Sequence, residues 1–140
     1  MVKRNANAVW KGTLKGGSGS MSYGTYKGNF SFLSRFENGE GTNPEELLVA
    51  AHSGCFSMAF SLELETAGFP SNQVETEASA TFEKIEEGWR ITSITLTTRG
   101  DVPNIDEAKF VELAENAKKG CPISNALSSN ITIILDAKLK

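Results

Sequence analysis

The sequence predicts an α+β fold in a single domain, and three observations support this prediction. The first third alternates apolar and polar residues in short runs broken by glycine, a pattern typical of β-strands. One long apolar helix follows it. Further strands and helices then come in succession, with no internal repeat and no linker. A chain of 140 residues is long enough for one domain, 1–140, with its own hydrophobic core.

The first third is predicted to contain two strands, over residues 7–14 and 28–33. In both segments apolar side chains alternate with polar ones, which favours half-buried strands. The glycine- and serine-rich segment 16–20 is expected to be a flexible turn or loop. Residues 34–41 are polar and interrupted by glycine, so we expect a surface loop there.

The long helix has a clear start signal. Asn43 suits the N-cap, Pro44 the first helical position, and Glu45 and Glu46 place acidic residues in the first turn. Apolar residues at helical spacing continue up to Gly68, which supplies a stop. At about 1.5 Å per residue the helix is about 35 Å long, so we expect it to be a central element.

The second half predicts a β-hairpin, two helices and a final strand. The sequence Glu86-Glu87-Gly88 between two alternating segments makes a hairpin the simplest connection. The predicted elements are strands over 74–85 and 89–98, helices over 106–119 and 121–128, and a last strand over 131–139.

The composition limits the classes of function. A net charge of −3 and a pI near 5.2 argue against nucleic acid as the main partner. The sequence has no uninterrupted run of eighteen apolar residues, and its basic start is not followed by an apolar signal segment. We therefore expect a cytoplasmic protein without a membrane span. In that reducing compartment two cysteines are more often free thiols, metal ligands or redox catalysts than a structural disulfide.

The two cysteines do not define a site by their spacing. Cys55 and Cys121 are too far apart for a CxxC redox motif, and they do not form a four-ligand zinc site. Cys55 lies within the apolar stripe of the long helix, where a cysteine is more often a small buried hydrophobe. Cys121 precedes Pro122 at a helix start, where backbone amides stabilise a thiolate.

Other polar residues near the cysteines also have ordinary structural explanations. His52, the only histidine, lies one helical turn before Cys55, but no third group completes a catalytic dyad, so a structural histidine is favoured. Arg35 is by composition a solvated arginine, and Glu45 and Glu46 are first-turn acids. From the residues alone the chemistry stays unassigned.

Two motifs in this chain resemble the OsmC branch of the OsmC/Ohr hydroperoxide-reductase family. The first runs from Ser34-Arg35-Phe36-Glu37 through Thr42-Asn43-Pro44-Glu45-Glu46 to Ala50-Ala51-His52-Ser53-Gly54-Cys55-Phe56-Ser57-Met58-Ala59. The second is Lys119-Gly120-Cys121-Pro122-Ile123-Ser124. Weaker similarities at Trp10-Lys11-Gly12 and Ala67-Gly68-Phe69 extend the resemblance over nearly the whole chain.

The resemblance implies a thiol peroxidase that needs no cofactor and no metal. The Cys55 thiolate attacks a peroxide oxygen, releases an alcohol and becomes a sulfenic acid. Cys121 condenses with it to a disulfide, which an external dithiol, of the lipoyl type in the Ohr branch, reopens. Arg35 matches the arginine that holds the thiolate and polarises the peroxide, and Glu45 the acid that orients this arginine. Arg4 is a weaker alternative to Arg35.

The resemblance also implies an OsmC-like fold, with antiparallel sheets around a long central helix, in an intertwined dimer. Ten helical residues place Glu45 and Cys55 about 15 Å apart with directions differing by about 80°, so they are not expected to meet within one straight helix. We therefore expect an obligate homodimer whose active sites combine residues of both chains. The apolar residues Phe36, Phe56 and Met58 suit an alkyl or fatty-acid hydroperoxide as substrate, and they are equally compatible with core positions.

Two alternatives remain open at this point. The same two thiols are also compatible with a non-catalytic redox sensor or binding module, in which oxidation only switches a conformation. A third interpretation is a structural domain in which neither thiol reacts.

Overall fold

The computed structural model describes residues 1–140 and confirms the α+β class. The chain divides into two compact units, Met1–Leu47 and Leu48–Lys140. The elements are β1 (Asn7–Lys11), β2 (Ser18–Tyr23), β3 (Tyr26–Phe30), α1 (Phe32–Phe36), α2 (Pro44–Thr66), β4 (Gln73–Ile85), β5 (Gly88–Asp101), α3 (Glu107–Gly120), α4 (Pro122–Leu127) and β6 (Thr132–Leu139).

The first unit contains an antiparallel sheet in the order β1-β2-β3. Strand β2 includes Ser18–Ser20, so the expected loop over these residues was wrong. Gly19 pairs with Trp10 on one side and with Phe30 on the other. A Cβ atom on Gly19 would collide with both rings, whose centroids are 5.2 Å apart. The glycine therefore makes room for an aromatic pair within a strand. From the sequence alone, the same glycine indicated a turn.

Helix α1 corrects the second loop prediction, for residues 34–41. Ser31 accepts a hydrogen bond from the backbone N–H of Ser34, and the Ser34 hydroxyl accepts one from the backbone N–H of Ser31. This reciprocal capping starts a short helix through Phe36. The Phe32 and Phe36 rings, four residues apart, lie 4.9 Å apart and add a side-chain contact along the helix.

The second unit contains a three-stranded sheet in the order β4-β5-β6. β4 and β5 form the expected hairpin, closed by a two-residue turn between Ile85 and Gly88, and Gly88 adopts a positive φ of 114°. β6 pairs with β5 in parallel, so the expectation of antiparallel sheets was wrong for this pair. The chain returns from β5 to β6 through α3 and α4, and a helical crossover of this kind joins parallel strands.

The core of the second unit lies between α2, α3 and one face of the sheet. Phe56, Phe60 and Leu64 of α2 are completely buried, at the spacing of one helix face. The Phe60 ring meets the edge of Phe110 from α3, with 4.9 Å between the centroids. Ser57 adds a polar contact, because its hydroxyl donates to Thr76 Oγ1 of β4. This packing fixes the rotation of α2 about its own axis.

The opposite face of α2 is apolar but exposed. Met58 and Leu62 are 78% and 63% exposed, and Ala51 and Gly54 lie on the same face. By length and composition alone α2 is also long enough and apolar enough to cross a membrane, a weak test that the core helix of a soluble protein also passes. Apolar residues on both faces are typical of a helix covered on both sides.

Candidate active site

The two cysteines, distant in sequence, are in contact in the second unit. Cys55 lies in the middle of α2, and Cys121 lies between α3 and α4. Their Sγ atoms are 3.3 Å apart and both thiols are free. Cys121 is completely buried, whereas Cys55 is half-buried at the border between the buried and exposed faces of α2. A disulfide requires a separation of about 2.05 Å, so a small movement brings the sulfurs to bonding distance.

Cys121 is the more acidic thiol of the pair. Burial opposes its ionisation, but hydrogen bonds from the backbone and side chain of Ser124, from Cys55 and from the Ile123 backbone outweigh burial and lower its pKa. The Ser124 N–H lies 3.5 Å from Sγ, because Cys121 is the N-cap residue of α4. Hydrogen bonds to the charged form of a group favour ionisation in this way.

Cys55 has the opposite shift. Burial raises its pKa, the Ile123 backbone N–H partly offsets burial, and the neighbouring Cys121 raises the pKa further. No cation contributes to this balance. A reactive cysteine needs its thiolate form, so a positive charge is required to make Cys55 a nucleophile.

A fixed cation lies in the first unit, where Arg35 of α1 forms a two-point ion pair with Glu45 in the first turn of α2. Nη2 and Nε of Arg35 lie 2.8 and 3.1 Å from Oε1 of Glu45, and Nε lies 3.3 Å from Oε2. The Glu45 side chain is only 12% exposed. The guanidinium also lies 5.3 Å from the centroid of the Phe36 ring. A carboxylate bound at two points fixes the plane of a guanidinium.

Arg35 also borders a small apolar cavity of about 210 Å³ in the first unit. Aromatic and aliphatic side chains dominate its wall, and Arg35 is its one charged residue. A cavity of this composition suits a ligand with an apolar body and one polar end. The lining residues are Trp10, Leu14, Phe30, Ser31, Phe32, Arg35 and Phe36.

The apolar residues named from the sequence have different positions. Phe36 lines this cavity, Phe56 is a core residue of the second unit, and Met58 lies on the exposed face of α2. The alternative arginine, Arg4, is exposed and donates only to the backbone oxygen of its neighbour Lys3. The structure thus pairs Arg35 with Glu45 in one unit, and Cys55 with Cys121 in the other.

The expected structural histidine, His52, is buried and has a partner that the sequence analysis missed. Its Nε2 lies 2.7 Å from Oγ of Ser124, and Ser124 in turn contacts Cys121. The only sequence signal for Ser124 is its place three residues after Cys121, the spacing of an N-cap contact. Burial lowers the pKa of His52, so the ring is neutral. No group of three or more metal-ligating side chains is clustered in the structure.

Comparison with known proteins reveals relatives over the whole chain. The family described as OsmC-like protein matches residues 37–136. The chain is 42% identical to peroxiredoxin OsmC of Escherichia coli (strain K12), covering 99% of this chain and 98% of that protein. It is 32% identical to the organic hydroperoxide resistance protein of Xanthomonas axonopodis pv. citri, over 69% of this chain and 67% of that protein.

Solved structures show the same fold. The organic hydroperoxide resistance protein of Elizabethkingia anophelis superimposes with a TM-score of 0.79 at 23% identity, covering 99% of both chains. The organic hydroperoxide resistance protein OhrB of Bacillus subtilis gives a TM-score of 0.76 at 24% identity, covering 96% of this chain and 98% of that one. The full-length identity to an OsmC protein, set against the shorter match to the resistance protein, agrees with the OsmC branch. The chain belongs to the OsmC-like protein family.

Proposed function

We propose that this protein is a thiol peroxidase that reduces organic hydroperoxides to alcohols, with Cys55 as the attacking thiolate and Cys121 as the resolving thiol. Membership of the family, with a full-length relative named peroxiredoxin OsmC, makes it a cysteine-based peroxidase. The observation that carries the finer proposal is the 3.3 Å separation of the two sulfurs. Two free thiols at this distance suit a catalytic cycle in a reducing compartment.

The cycle has three steps. The Cys55 sulfur displaces the alkoxide from the hydroperoxide and becomes a sulfenic acid, and the alkoxide takes up a proton to become the alcohol. Cys121 then attacks the oxidised sulfur, the S–S bond forms and water leaves. An external dithiol, which we propose is of the lipoyl type, reduces the disulfide and restores both thiols. The half-buried position of Cys55 admits a peroxide, while the burial of Cys121 protects it from direct oxidation.

Arg35 and Glu45 are proposed to activate Cys55. The raised pKa of Cys55 has to be offset by a cation, and Arg35 is a cation whose orientation Glu45 already fixes. In this role the guanidinium stabilises the thiolate and polarises the bound peroxide, because its five N–H donors lie in one plane. The carboxylate acts through Arg35 and is a positioning group.

The substrate proposal rests on the apolar cavity beside Arg35. Its aromatic wall accommodates an alkyl chain, and Arg35, its single charged residue, is proposed to bind the peroxide group. Hydrogen peroxide has no apolar part and gains nothing from this wall. An alkyl or fatty-acid hydroperoxide therefore suits the site better than hydrogen peroxide.

The quaternary proposal is a homodimer that shares its active sites. The exposed apolar face of α2, with Met58 and Leu62, is proposed to pack against a second copy, because an isolated chain leaves these side chains in water. Cys55 lies at the border of this face. We propose that the second copy contributes groups to the site there. Arg35 and Glu45 of one chain are proposed to complete the site at Cys55 of the other. Each chain is taken to be one OsmC-like domain.

A steady-state assay tests the proposed function. The protein is mixed with excess cumene hydroperoxide and with dihydrolipoamide, thioredoxin or glutaredoxin as electron donor, and Cys55→Ser is the control. We expect many turnovers for the wild type with at least one donor, and none for the control. Oxidation by one equivalent of peroxide that then stops with every donor would instead identify a redox sensor.

A further inference from the structure

We propose that His52 and Ser124 form a hydrogen-bond relay that holds Cys121 as the resolving thiolate. This inference rests on the function proposed above, in which Cys121 closes the disulfide. It adds His52 and Ser124 as two positioning residues that act through Cys121. His52 lies on α2 and Ser124 on α4, 72 positions apart in the chain. Both side chains are buried, and Ser124 is the only hydrogen-bond partner of the imidazole.

The direction of the hydrogen bond between them follows from the other ring nitrogen. Nε2 of His52 lies 2.7 Å from Oγ of Ser124, whereas Nδ1 is buried and has no partner. An N–H group buried without an acceptor is rarer in proteins than an acceptor with an unused lone pair. The proton of the neutral ring is therefore on Nε2, which donates to Ser124 Oγ, and Nδ1 carries the lone pair.

This direction determines what the serine hydroxyl does. Because Oγ of Ser124 accepts from His52, its own proton is available to another acceptor, and the side chain of Ser124 contacts Cys121. The Ser124 backbone N–H donates to the same sulfur at 3.5 Å. Ser124 thus offers both its backbone N–H and its hydroxyl to the Cys121 sulfur, in a place where complete burial excludes water. A buried thiolate depends on such protein donors.

The relay acts in the second step of the cycle. Once Cys55 is a sulfenic acid, the thiol of Cys121 has to lose its proton before its sulfur can attack. The S–S bond then forms and the S–O bond breaks. The departing hydroxide takes up one proton, which balances the proton lost by Cys121, and leaves as water. The sulfenic sulfur is reduced and the Cys121 sulfur is oxidised, and no other oxidant is needed. The relay increases the fraction of Cys121 present as thiolate.

Ultraviolet titration of the thiolate tests the relay without any peroxide. In a Cys55→Ser background Cys121 is the only thiol, so its absorbance reports its ionisation directly. Ser124→Ala is expected to raise the pKa of Cys121 enough to reduce the thiolate fraction about tenfold at neutral pH. Ser128→Ala is the matched control, because Ser128 is exposed at the end of the same helix and its hydroxyl donates only to the Asn125 backbone oxygen.

Two variants of the histidine separate the relay from a packing role. His52→Gln keeps an N–H donor near the position of Nε2, and His52→Leu keeps bulk but removes the donor. We expect the pKa of Cys121 to stay near the wild-type value with glutamine and to rise with leucine. Because the chain has one histidine, its ¹⁵N spectrum reports the tautomer without assignment, and we expect the proton on Nε2. Should His52→Leu fail to fold, Ser124→Ala and the tautomer decide the matter.

Stopped-flow single turnover then measures the effect on the reaction with Cys55 present. Ser124→Ala is expected not to slow formation of the Cys55 sulfenic acid, and to slow disulfide formation about tenfold. The relay is refuted if titration and disulfide formation in Ser124→Ala both match the Ser128→Ala control, or if the proton is on Nδ1. If the wild type forms no sulfenic acid with an organic hydroperoxide, the proposed function fails, while the titration still decides the relay.

Discussion

Cys55 and Cys121 lie 3.3 Å apart, yet their pKa values are shifted in opposite directions. The thiol with the lower pKa is the buried one at the N-cap of α4, and the thiol with the raised pKa is the half-buried one on α2. The proposed roles therefore require that Cys55 gains its reactivity from a positive charge that the pair of thiols does not provide.

Replacing either cysteine is expected to stop the cycle at a different step. Cys55→Ser removes the attacking sulfur, so no peroxide is consumed. Cys121→Ser retains the first turnover and accumulates the sulfenic acid, because no neighbouring thiol can condense with it. Mass spectrometry after one equivalent of cumene hydroperoxide measures both products. Equal loss of the initial burst in the two variants would contradict the assignment of roles.

Glu45→Gln is expected to slow the oxidation of Cys55 about ten- to a hundredfold. The amide keeps the size of the side chain but loses the charge that holds Arg35 at two points. The rate of sulfenic acid formation under single-turnover conditions is the measurement. Glu46→Gln is the matched control, because Glu46 is exposed in the same helical turn and takes no part in the ion pair. Equal rates in the two variants would remove Glu45 from the mechanism.

Mixed dimers are expected to show that an active site uses both chains. Arg35→Ala and Cys55→Ser are each expected to be inactive alone. When the two variants are unfolded and refolded together, half of the dimers contain both chains, and each of these has one complete site if Arg35 acts on the partner's thiol. We expect about a quarter of the wild-type activity in the mixture. An inactive mixture would show that Arg35 and Cys55 act within the same chain.

The pH dependence of stability is expected to report the neutral His52. Its pKa is lowered in the folded state, so the unfolded chain binds the proton first as the pH falls. The free energy of unfolding is therefore highest above about pH 6.5 and decreases below it, by at most about 1.4 kcal/mol per pH unit from this group. Urea unfolding between pH 7 and pH 5 measures the slope. His52→Gln is expected to flatten it, and an unchanged slope would contradict the buried neutral ring.

The elements that were predicted correctly depend on local signals. Asn43 accepts a hydrogen bond from the backbone N–H of Glu46, as its N-cap position predicts, and Gly68 follows the end of α2 with a positive φ of 89°. The β4-β5 hairpin follows from alternation and a short turn. The missed features depend on residues far away in the sequence. Gly19 is needed within a strand because the Trp10 and Phe30 rings leave no room for a side chain there. Strand β6 is parallel to β5 because α3 and α4 connect the two strands.

The contacts of the candidate active site were also beyond local sequence signals. The spacing of Cys55 and Cys121 in the sequence does not indicate that they are in contact. Before the structure, only the resemblance to a family predicted that the two thiols react with each other. The partner of His52 lies 72 positions away, beyond any local pattern, so the histidine was recognised as structural but Ser124 was not recognised as its partner. Arg35 and Glu45 are separated by a loop whose path the composition does not reveal.

The position of Cys121 as the N-cap of α4 links the redox state of the protein to local stability. In the reduced protein its sulfur accepts the hydrogen bond of the Ser124 N–H and closes the first turn of a helix only six residues long. A disulfide sulfur is neutral and a much weaker acceptor than a thiolate. Oxidation therefore loosens this turn, and amide hydrogen exchange at Ser124 should become faster. The weakened turn would open the buried sulfur to the incoming dithiol at the stage of the cycle that requires it.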